Sequence, residues 1–160
     1  FDATLTQLVL HFVEDPPKGV AEMMRVTRTG GKIAGSVWAM PGGMQMLQVA
    51  MATIASMGLP APPPERVVRF GAVNELKDVF ETDGLTDVEE REIDVSSTYA
   101  SFDEFWTAIQ SAQGPVAQAM SQLSAEEMTR FRDKLFEHVG RPGGSFALQA
   151  KARAAVGTVP

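Results

Sequence analysis

The first forty residues constrain the fold more than any other part of the chain. The runs Phe1–Leu10 and Lys32–Trp38 are apolar and rich in β-branched residues, with no clear polar face, which is typical of strands buried on both sides in a parallel sheet. Between them, Pro17–Arg28 has helical periodicity, and Gly30-Gly31 suits a helix C-terminus. Two strands joined through one short helix form a βαβ unit, which predicts parallel strands and a right-handed crossover.

Periodicity divides the rest of the chain into five helices and two further strands. The helix starting near Phe102 and the one starting near Ala125 are each preceded by a capping box, a serine followed three residues later by glutamate. The last run is predicted to be a strand because apolar residues alternate with Gln149, Lys151 and Arg153, which should lie on one wet face. The predicted helices cover 44–57, 73–82, 102–112, 115–123 and 125–139, the strands cover 87–97 and 145–155, and the proline run 60–64 is predicted to be an extended surface connection.

Composition excludes several classes of function. The chain has 160 residues, of which 44% are hydrophobic and 21% charged, as in one soluble globular domain. Its net charge of −6, without a basic cluster, argues against binding to nucleic acid or to an anionic membrane. The absence of cysteine excludes disulfides, thiolate zinc sites and cysteine nucleophiles. No apolar run reaches the ~18 residues of a membrane span, and we expect a cytoplasmic protein.

The candidate ligand site is deduced from the expected sheet. Ligands of open parallel sheets bind outside the carboxyl ends of the strands, here residues 7–14 and 36–43. His11 could act as a general base or contact a ligand, or it could only bond to backbone. Trp38 could stack on a substrate ring, or it could only pack at the end of the sheet. The residues placed to touch a ligand are Gln7, His11, Glu14, Ser36 and Trp38.

Other chemistry-bearing segments admit two interpretations each. The acidic run Asp87–Glu92 could hold a metal ion or an acid–base pair, but a solvated strand edge is the favoured interpretation. The methionine-rich helix 44–57 must be covered or act as a lid, and the aromatic residues near Trp106 could line a pocket or a core. The glycine pairs lack the position and spacing of a phosphate-binding loop. No nucleophile–base pair or metal-ligand spacing is present in the sequence.

The first forty residues also carry a family resemblance. Phe1-Asp2, a strand, Asp15-Pro16, a helix ending in Arg25-Val26, then Gly30-Gly31 and Ser36-Val37-Trp38 together resemble class I S-adenosylmethionine-dependent methyltransferases. The most similar group is the small-molecule type related to ubiquinone and menaquinone C-methyltransferases. Thr29 stands where the family usually has proline. The matching segment runs from the family's fourth strand to its fifth, and the rest of the chain resembles the family's later elements, up to the seventh strand.

The resemblance implies a fold and a site. We expect a partial Rossmann-like α/β fold with a mostly parallel sheet in the order 4-5-7-6, an antiparallel last strand and helices on both faces. Residues 1–160 would be the C-terminal part of a methyltransferase domain, with a helical cap inserted at 99–142. By resemblance, Gln7, Leu8 and His11 would lie beside the methionine part of S-adenosylmethionine. Trp38, Met44 and Trp106 would line the substrate pocket, no metal ion is expected, and the catalytic residue is not identified.

The family's glycine-rich loop, its ribose-binding acid and its adenine-binding segment do not occur in this sequence. We therefore expect a fragment of a longer enzyme that transfers a methyl group from S-adenosylmethionine to a small molecule, with this chain inactive alone. The alternative is a non-catalytic binding or oligomerisation module derived from the same fold. In either case the first strand would be an open apolar edge, which predicts a homodimer formed through Phe1–Leu10.

Overall fold

The computed structural model describes residues 1–59, 69–112 and 114–160, and the predicted connection at 60–64 lies outside these ranges. A single 3₁₀ turn, Leu10–Phe12, comes after the first strand. The strands are β1 (Ala3–Gln7), β2 (Lys32–Trp38), β3 (Thr86–Tyr99) and β4 (Phe146–Thr158), and the helices are α1 (Pro16–Val26), α2 (Gln45–Ser56), α3 (Glu75–Thr82), α4 (Phe102–Gln110), α5 (Pro115–Met120) and α6 (Ala125–His138).

The elements predicted from periodicity are all present, with ends that differ by a few residues. The alternating run at the C-terminus is a strand, as predicted, and it extends further than 155, to Thr158. The first strand is shorter than predicted, because Leu8 has a left-handed backbone with φ of 56° and ends the extended conformation. Local turns set these ends, and hydrophobic periodicity does not report them.

The chain divides into two compact units. Unit 1 comprises residues 1–43, 68–95 and 151–160, and unit 2 comprises 44–67 and 96–150. The four strands form one sheet in the order β1-β2-β4-β3. The expected order 4-5-7-6 uses the family's numbering, in which strands 4, 5, 6 and 7 correspond to β1, β2, β3 and β4 of this chain. β2 is parallel to β1 and antiparallel to β4, so the α/β class and the antiparallel last strand are confirmed and the sheet is mixed.

One face of the sheet in unit 1 is covered by helices α1 and α3. Val20 of α1 and Phe80 of α3 are fully buried in one cluster with Ile33 and Val37 of β2. A Cβ atom on Gly35, which lies midway between Ile33 and Val37 in the strand, would be 3.1 Å from Phe80 Cζ. The absence of a side chain at Gly35 therefore lets α3 lie close against the sheet.

The opposite face of this sheet carries exposed apolar residues. Leu5, Ala34 and Val156 occupy one row across β1, β2 and β4, and Leu5 is 76% exposed and Val156 36%. A groove of about 330 Å³ runs along this face between Ala34, Val156 and Ile93. The prediction that β1 is covered on both sides is therefore wrong, because within unit 1 both α1 and α3 pack on one face. Helices on both faces of the sheet were expected, but within unit 1 they cover one face.

The acidic run in β3 is partly buried, which corrects the solvated-edge interpretation. The Glu90 side chain is only 5% exposed, and its carboxylate accepts hydrogen bonds from the Asn74 and Lys77 amides at the start of α3, at 2.8 and 3.1 Å. Arg153 of β4 lies 3.7 Å from Glu90 and donates to the Gly71 carbonyl at 2.8 Å. Arg153 is therefore buried on the covered face and not on the predicted wet face, because it pairs with an acid from β3.

Unit 2 is a helical cluster with its own apolar core. Ile54 of α2, Phe105 of α4 and Phe131 of α6 are fully buried together. Helix α2 is therefore packed in the core of unit 2. Of the two alternatives, a covered helix or a lid, the structure supports the covered helix. The capping box at Ser124 and Glu127 is complete, and it fixes the start of α6.

Within the described ranges, none of the helices has the length and apolar character needed to cross a membrane.

Candidate functional site

The candidate site lies at the carboxyl ends of β1 and β2 in unit 1. Gln7 is opposite Ser36 in the parallel pair, and the Leu8 amide donates to the Ser36 carbonyl at 2.8 Å. The left-handed conformation of Leu8 then turns the chain into the 3₁₀ turn that contains His11. The fold thus brings Gln7 and Leu8 beside Ser36, with His11 in the same short segment, as the sequence predicts for a ligand site of this topology.

His11 is the most distinctive side chain of this segment. Its residue is 7% exposed, and its Nδ1 atom is buried without a hydrogen-bond partner in the part of the chain that the structure describes. Burial lowers the pKa of His11 below its ordinary value of 6.5, so the imidazole is neutral at pH 7. His11 Nδ1 is therefore not hydrogen-bonded to the backbone of this part of the chain, in contrast to the alternative in which His11 only bonds to backbone. The hydrogen-bonding capacity of this ring nitrogen is therefore unused among the described residues.

Gln7 and Trp38 flank this segment in different ways. The Gln7 side chain is exposed at the last residue of β1, so its amide can both donate and accept hydrogen bonds. Trp38 is half-buried at the last residue of β2, opposite Ala152 of β4. Gln7, Leu8 and His11 therefore lie at one end of the parallel pair, and Trp38 ends the neighbouring strand at the same end.

The two other predicted substrate-pocket residues belong to unit 2. Met44 is the residue before α2 and forms an isolated bridge with Ala150. Trp106 of α4 is half-buried, and its ring centroid is 6.0 Å from that of Phe131. The neighbouring aromatic Phe105 is fully buried in the core of this unit, which favours the core interpretation for that residue. A shared substrate pocket of Trp38, Met44 and Trp106 remains a prediction.

Sequence reasoning missed a second buried carboxyl in unit 1. The Asp83 Oδ2 atom, at the end of α3, has no hydrogen-bond partner within the described ranges. Burial raises the pKa of Asp83, and the nearby charge of Asp15 raises it further. The sequence marked Asp83-Gly84 only as a helix end, and no periodic signal distinguishes a buried helix-terminal acid from an exposed one. Among the described residues, no group of three potential metal ligands occurs.

The first segment of the chain is similar to a known family of proteins. Residues 1–35 match the profile of a family described as a methyltransferase domain. This stretch contains β1, α1 and the first residues of β2, and thus Gln7, Leu8 and His11. No curated protein sequence matches the chain.

Solved structures extend the likeness to the whole chain at the level of the fold. A methyltransferase described as putative from Bacillus halodurans is 11% identical, with a TM-score of 0.50, over 100% of this chain and 64% of its own. The YcgJ protein of Bacillus subtilis is 13% identical, with a TM-score of 0.50, over 99% of this chain and 63% of its own. A phosphoethanolamine N-methyltransferase of Haemonchus contortus, solved with S-adenosylhomocysteine, has 11% identity and a TM-score of 0.46, over 100% and 33%.

These findings confirm the resemblance to class I methyltransferases predicted from the sequence, and the fold class with it. The chain spans just under two thirds of the length of the first two solved structures that it matches.

Proposed function

We propose that this chain is part of an S-adenosylmethionine-dependent methyltransferase that acts on a small molecule. When bound, the cofactor supplies a methyl group on a sulfonium, which an acceptor atom can attack directly. Such a transfer depends mainly on positioning, so the protein needs no extended catalytic motif. The proposal rests on one observation: the segment from Gln7 to His11 lies within the matched methyltransferase profile and at the carboxyl end of a parallel strand pair.

The residues of this segment suit the methionine part of the cofactor. That part carries an amino group and a carboxylate, and both need polar partners. The buried His11 Nδ1 has no hydrogen-bond partner within the described ranges, and the exposed Gln7 amide can donate to a carboxylate oxygen. The backbone at Leu8 turns between them. In this proposal Gln7 and His11 bind the cofactor, and Leu8 sets the path of the chain.

We infer the finer assignments from the sequence and from the same resemblance. The substrate is a small apolar molecule held near Trp38, Met44 and Trp106, in an enzyme of the ubiquinone and menaquinone C-methyltransferase type. The remaining part of the cofactor site belongs to a segment outside this sequence, so that the chain alone is inactive. The lack of cysteine favours a cytoplasmic location.

Nuclear magnetic resonance titration with S-adenosylhomocysteine tests this function on the chain as it is. We expect amide shifts confined to Gln7–His11 and the neighbouring Ser36–Trp38, with a dissociation constant no tighter than about millimolar. Adenosine alone should leave these amides unchanged, because the proposed contacts are to the methionine part. Amide shifts located elsewhere in the chain would contradict the proposal. So would the absence of any shift at a ligand concentration of several millimolar, on the order of the expected dissociation constant.

Two variants make this titration specific. Gln7→Ala and His11→Ala should each weaken the shifts at the remaining residues of the segment by several fold. Gln48→Ala is the matched control, because Gln48 is also an exposed glutamine but belongs to unit 2. Equal affinity in Gln7→Ala, His11→Ala and Gln48→Ala would show that the segment does not bind the cofactor.

A further inference from the structure

One backbone carbonyl of unit 1 joins three parts of the chain. The Gly71 carbonyl accepts a hydrogen bond from the Met40 amide, two residues after the end of β2, at 2.7 Å. The same oxygen accepts from Arg153 Nε of β4, at 2.8 Å. A carbonyl oxygen has two lone pairs, so these two donors use its whole capacity. Gly71 is thereby tied to β4 and to the chain that leaves β2.

The residues just before this carbonyl are held in an unusual conformation. Phe70 has a left-handed backbone with φ of 64°, which is uncommon and costly for a residue with a bulky side chain. Its side chain packs against the buried apolar cluster of unit 1. The Arg69 guanidinium donates to the Val13 carbonyl, after the 3₁₀ turn, at 3.2 Å. Residues 69–71, here called the crossing segment, therefore contact the chain beyond both parallel strands.

Buried charges from β3 and β4 hold the crossing segment. The Arg153 side chain is 10% exposed, and its guanidinium is 3.7 Å from the carboxylate of Glu90 and 3.3 Å from that of Glu92. A buried ion pair adds little net stability compared with an apolar pair, because the cost of removing both charges from water offsets most of their attraction. The planar guanidinium instead fixes the direction of its donors, and one of them is directed at the Gly71 carbonyl.

The loop that follows β2, residues 39–43, connects this arrangement to Trp38. This exit loop is bracketed by β4, because the Ala39 amide donates to a β4 carbonyl at 2.8 Å and the Gly43 carbonyl accepts from a β4 amide at 2.7 Å. A Cβ atom on Gly43 would be 3.5 Å from Trp38 Cβ and 2.6 Å from the Ala39 carbonyl oxygen, so the exit loop turns tightly against Trp38. Between these two bonds, the Met40 amide links the loop to the crossing segment.

We propose that Arg153 is a positioning residue of the ligand site, and that it fixes the exit loop against Trp38 through the Gly71 carbonyl. The proposed function holds the methyl acceptor near Trp38, and the inference rests on that function in this respect. Arg153 acts through Gly71 and not on the ligand. Its role depends on the direction of the Nε donor, which lysine cannot reproduce because its ammonium is a compact charge on a flexible chain.

Amide hydrogen exchange of the ligand-free chain, followed by nuclear magnetic resonance, tests the positioning. We expect Arg153→Lys to accelerate exchange of the Met40 amide about tenfold relative to the Ala39 amide, whose partner is a carbonyl of β4. The indole signal of Trp38 should shift in the same variant, because the exit loop lies against this residue. Arg91→Lys is the matched control, since the Arg91 side chain is 79% exposed on β3, and it should leave these signals unchanged.

A second control separates positioning from a general loss of stability. Val20→Ala truncates a fully buried side chain of α1, so it should lower the stability of unit 1 while the contacts of Gly71 stay in place. In this variant the ratio of the Met40 rate to the Ala39 rate should equal that of the parent, and the Trp38 indole signal should not move. An equal rise of this ratio in Val20→Ala and Arg153→Lys would overturn the proposal.

The unsubstituted chain provides an independent test if Arg153→Lys does not fold. Scalar couplings across hydrogen bonds should connect the Gly71 carbonyl carbon with both Met40 N and Arg153 Nε. The absence of the coupling to Arg153, or unchanged exchange of Met40 in Arg153→Lys, would overturn the proposal. None of these measurements uses a ligand. A failed titration with S-adenosylhomocysteine would therefore contradict the proposed function and leave the placement of the exit loop by Arg153 intact.

Discussion

The two faces of the sheet in unit 1 are built from the same strands but have opposite surroundings. On one face, which α1 and α3 cover, Val37 of β2 and Phe80 of α3 are fully buried. On the other face, Leu5 is 76% and Ile93 46% exposed. Apolar strand residues occur on both faces, so hydrophobic character alone does not decide burial. A residue is buried where a helix of the same unit covers it, and this sheet has helices on one face within that unit.

The difference between the faces predicts a large difference in their sensitivity to truncation. Phe80→Ala should lower the free energy of unfolding by about 4 kcal/mol, because it removes a fully buried ring from the covered face. Leu5→Ala should change it by no more than about 0.5 kcal/mol, because the Leu5 side chain is 76% exposed. Urea denaturation measures both. Similar losses in the two variants would mean that the open face is covered in solution.

The acids of β3 allow a second comparison of the faces. Glu90→Ala should destabilise the chain by about 3 kcal/mol, because it removes the buried carboxylate beside Arg153 and leaves two helix amides without an acceptor. Among the described acids, Arg153 then keeps only its ion pair with the more exposed Glu92, at 3.3 Å. Glu89→Ala should have almost no effect, since its ion pair with Arg91 is exposed. Urea denaturation of the pair provides the measurement. If Glu89→Ala were the more harmful change, the assignment of the two faces would be reversed.

Adjacent small residues of β2 make the comparison finer. Gly35→Ala should cost about 2 kcal/mol, because the new Cβ would lie 3.1 Å from both Phe80 Cζ and Thr6 Cγ2. Ala34→Val adds methyl groups on the open face, where the groove has room for them, and should be nearly neutral. Thermal unfolding of the two variants separates these outcomes. A neutral Gly35→Ala would show that α3 can move away from the sheet without cost.

The smallest expected effect is a dependence of stability on pH. Burial lowers the pKa of His11 in the folded chain below 6.5, so the unfolded chain binds this proton first as the pH falls. The stability from neutral His11 is complete above the unfolded pKa, and it is lost as the pH falls through the folded pKa. The melting temperature should therefore drop less between pH 7.5 and pH 5.5 in His11→Gln than in the parent chain.

The control for this measurement is His138→Gln, which removes the other histidine and keeps His11. Asp83 acts in the opposite sense at lower pH, because burial raises its pKa in the folded chain. Both proteins contain Asp83, so subtracting the melting temperature of His11→Gln from that of the parent at each pH cancels the contribution of Asp83. If the melting temperature of the parent and that of His11→Gln changed equally with pH, His11 would not be buried in its neutral form.

The sequence was sufficient for the elements and for the position of the candidate site. Alternation along residues 145–155 predicted a strand where alanine content favoured a helix, and β4 is there. The strand–helix–strand pattern of the first forty residues predicted a parallel pair, and with it the placement of Gln7 and His11 at its carboxyl end. These features are local, because each depends on the spacing of neighbouring residues and on turn chemistry.

Burial on each face was decided by the tertiary structure. Nothing in the sequence separates the buried side chains of Arg153 and Glu90 from the more exposed side chains of Lys151 and Glu89, because all four lie in alternating strand patterns. Nor does it show that Leu5 is exposed while Val37 is buried. The periodicity of a strand determines which residues share a face. Whether a helix covers that face depends on residues far away in the chain, and only the folded arrangement brings them together.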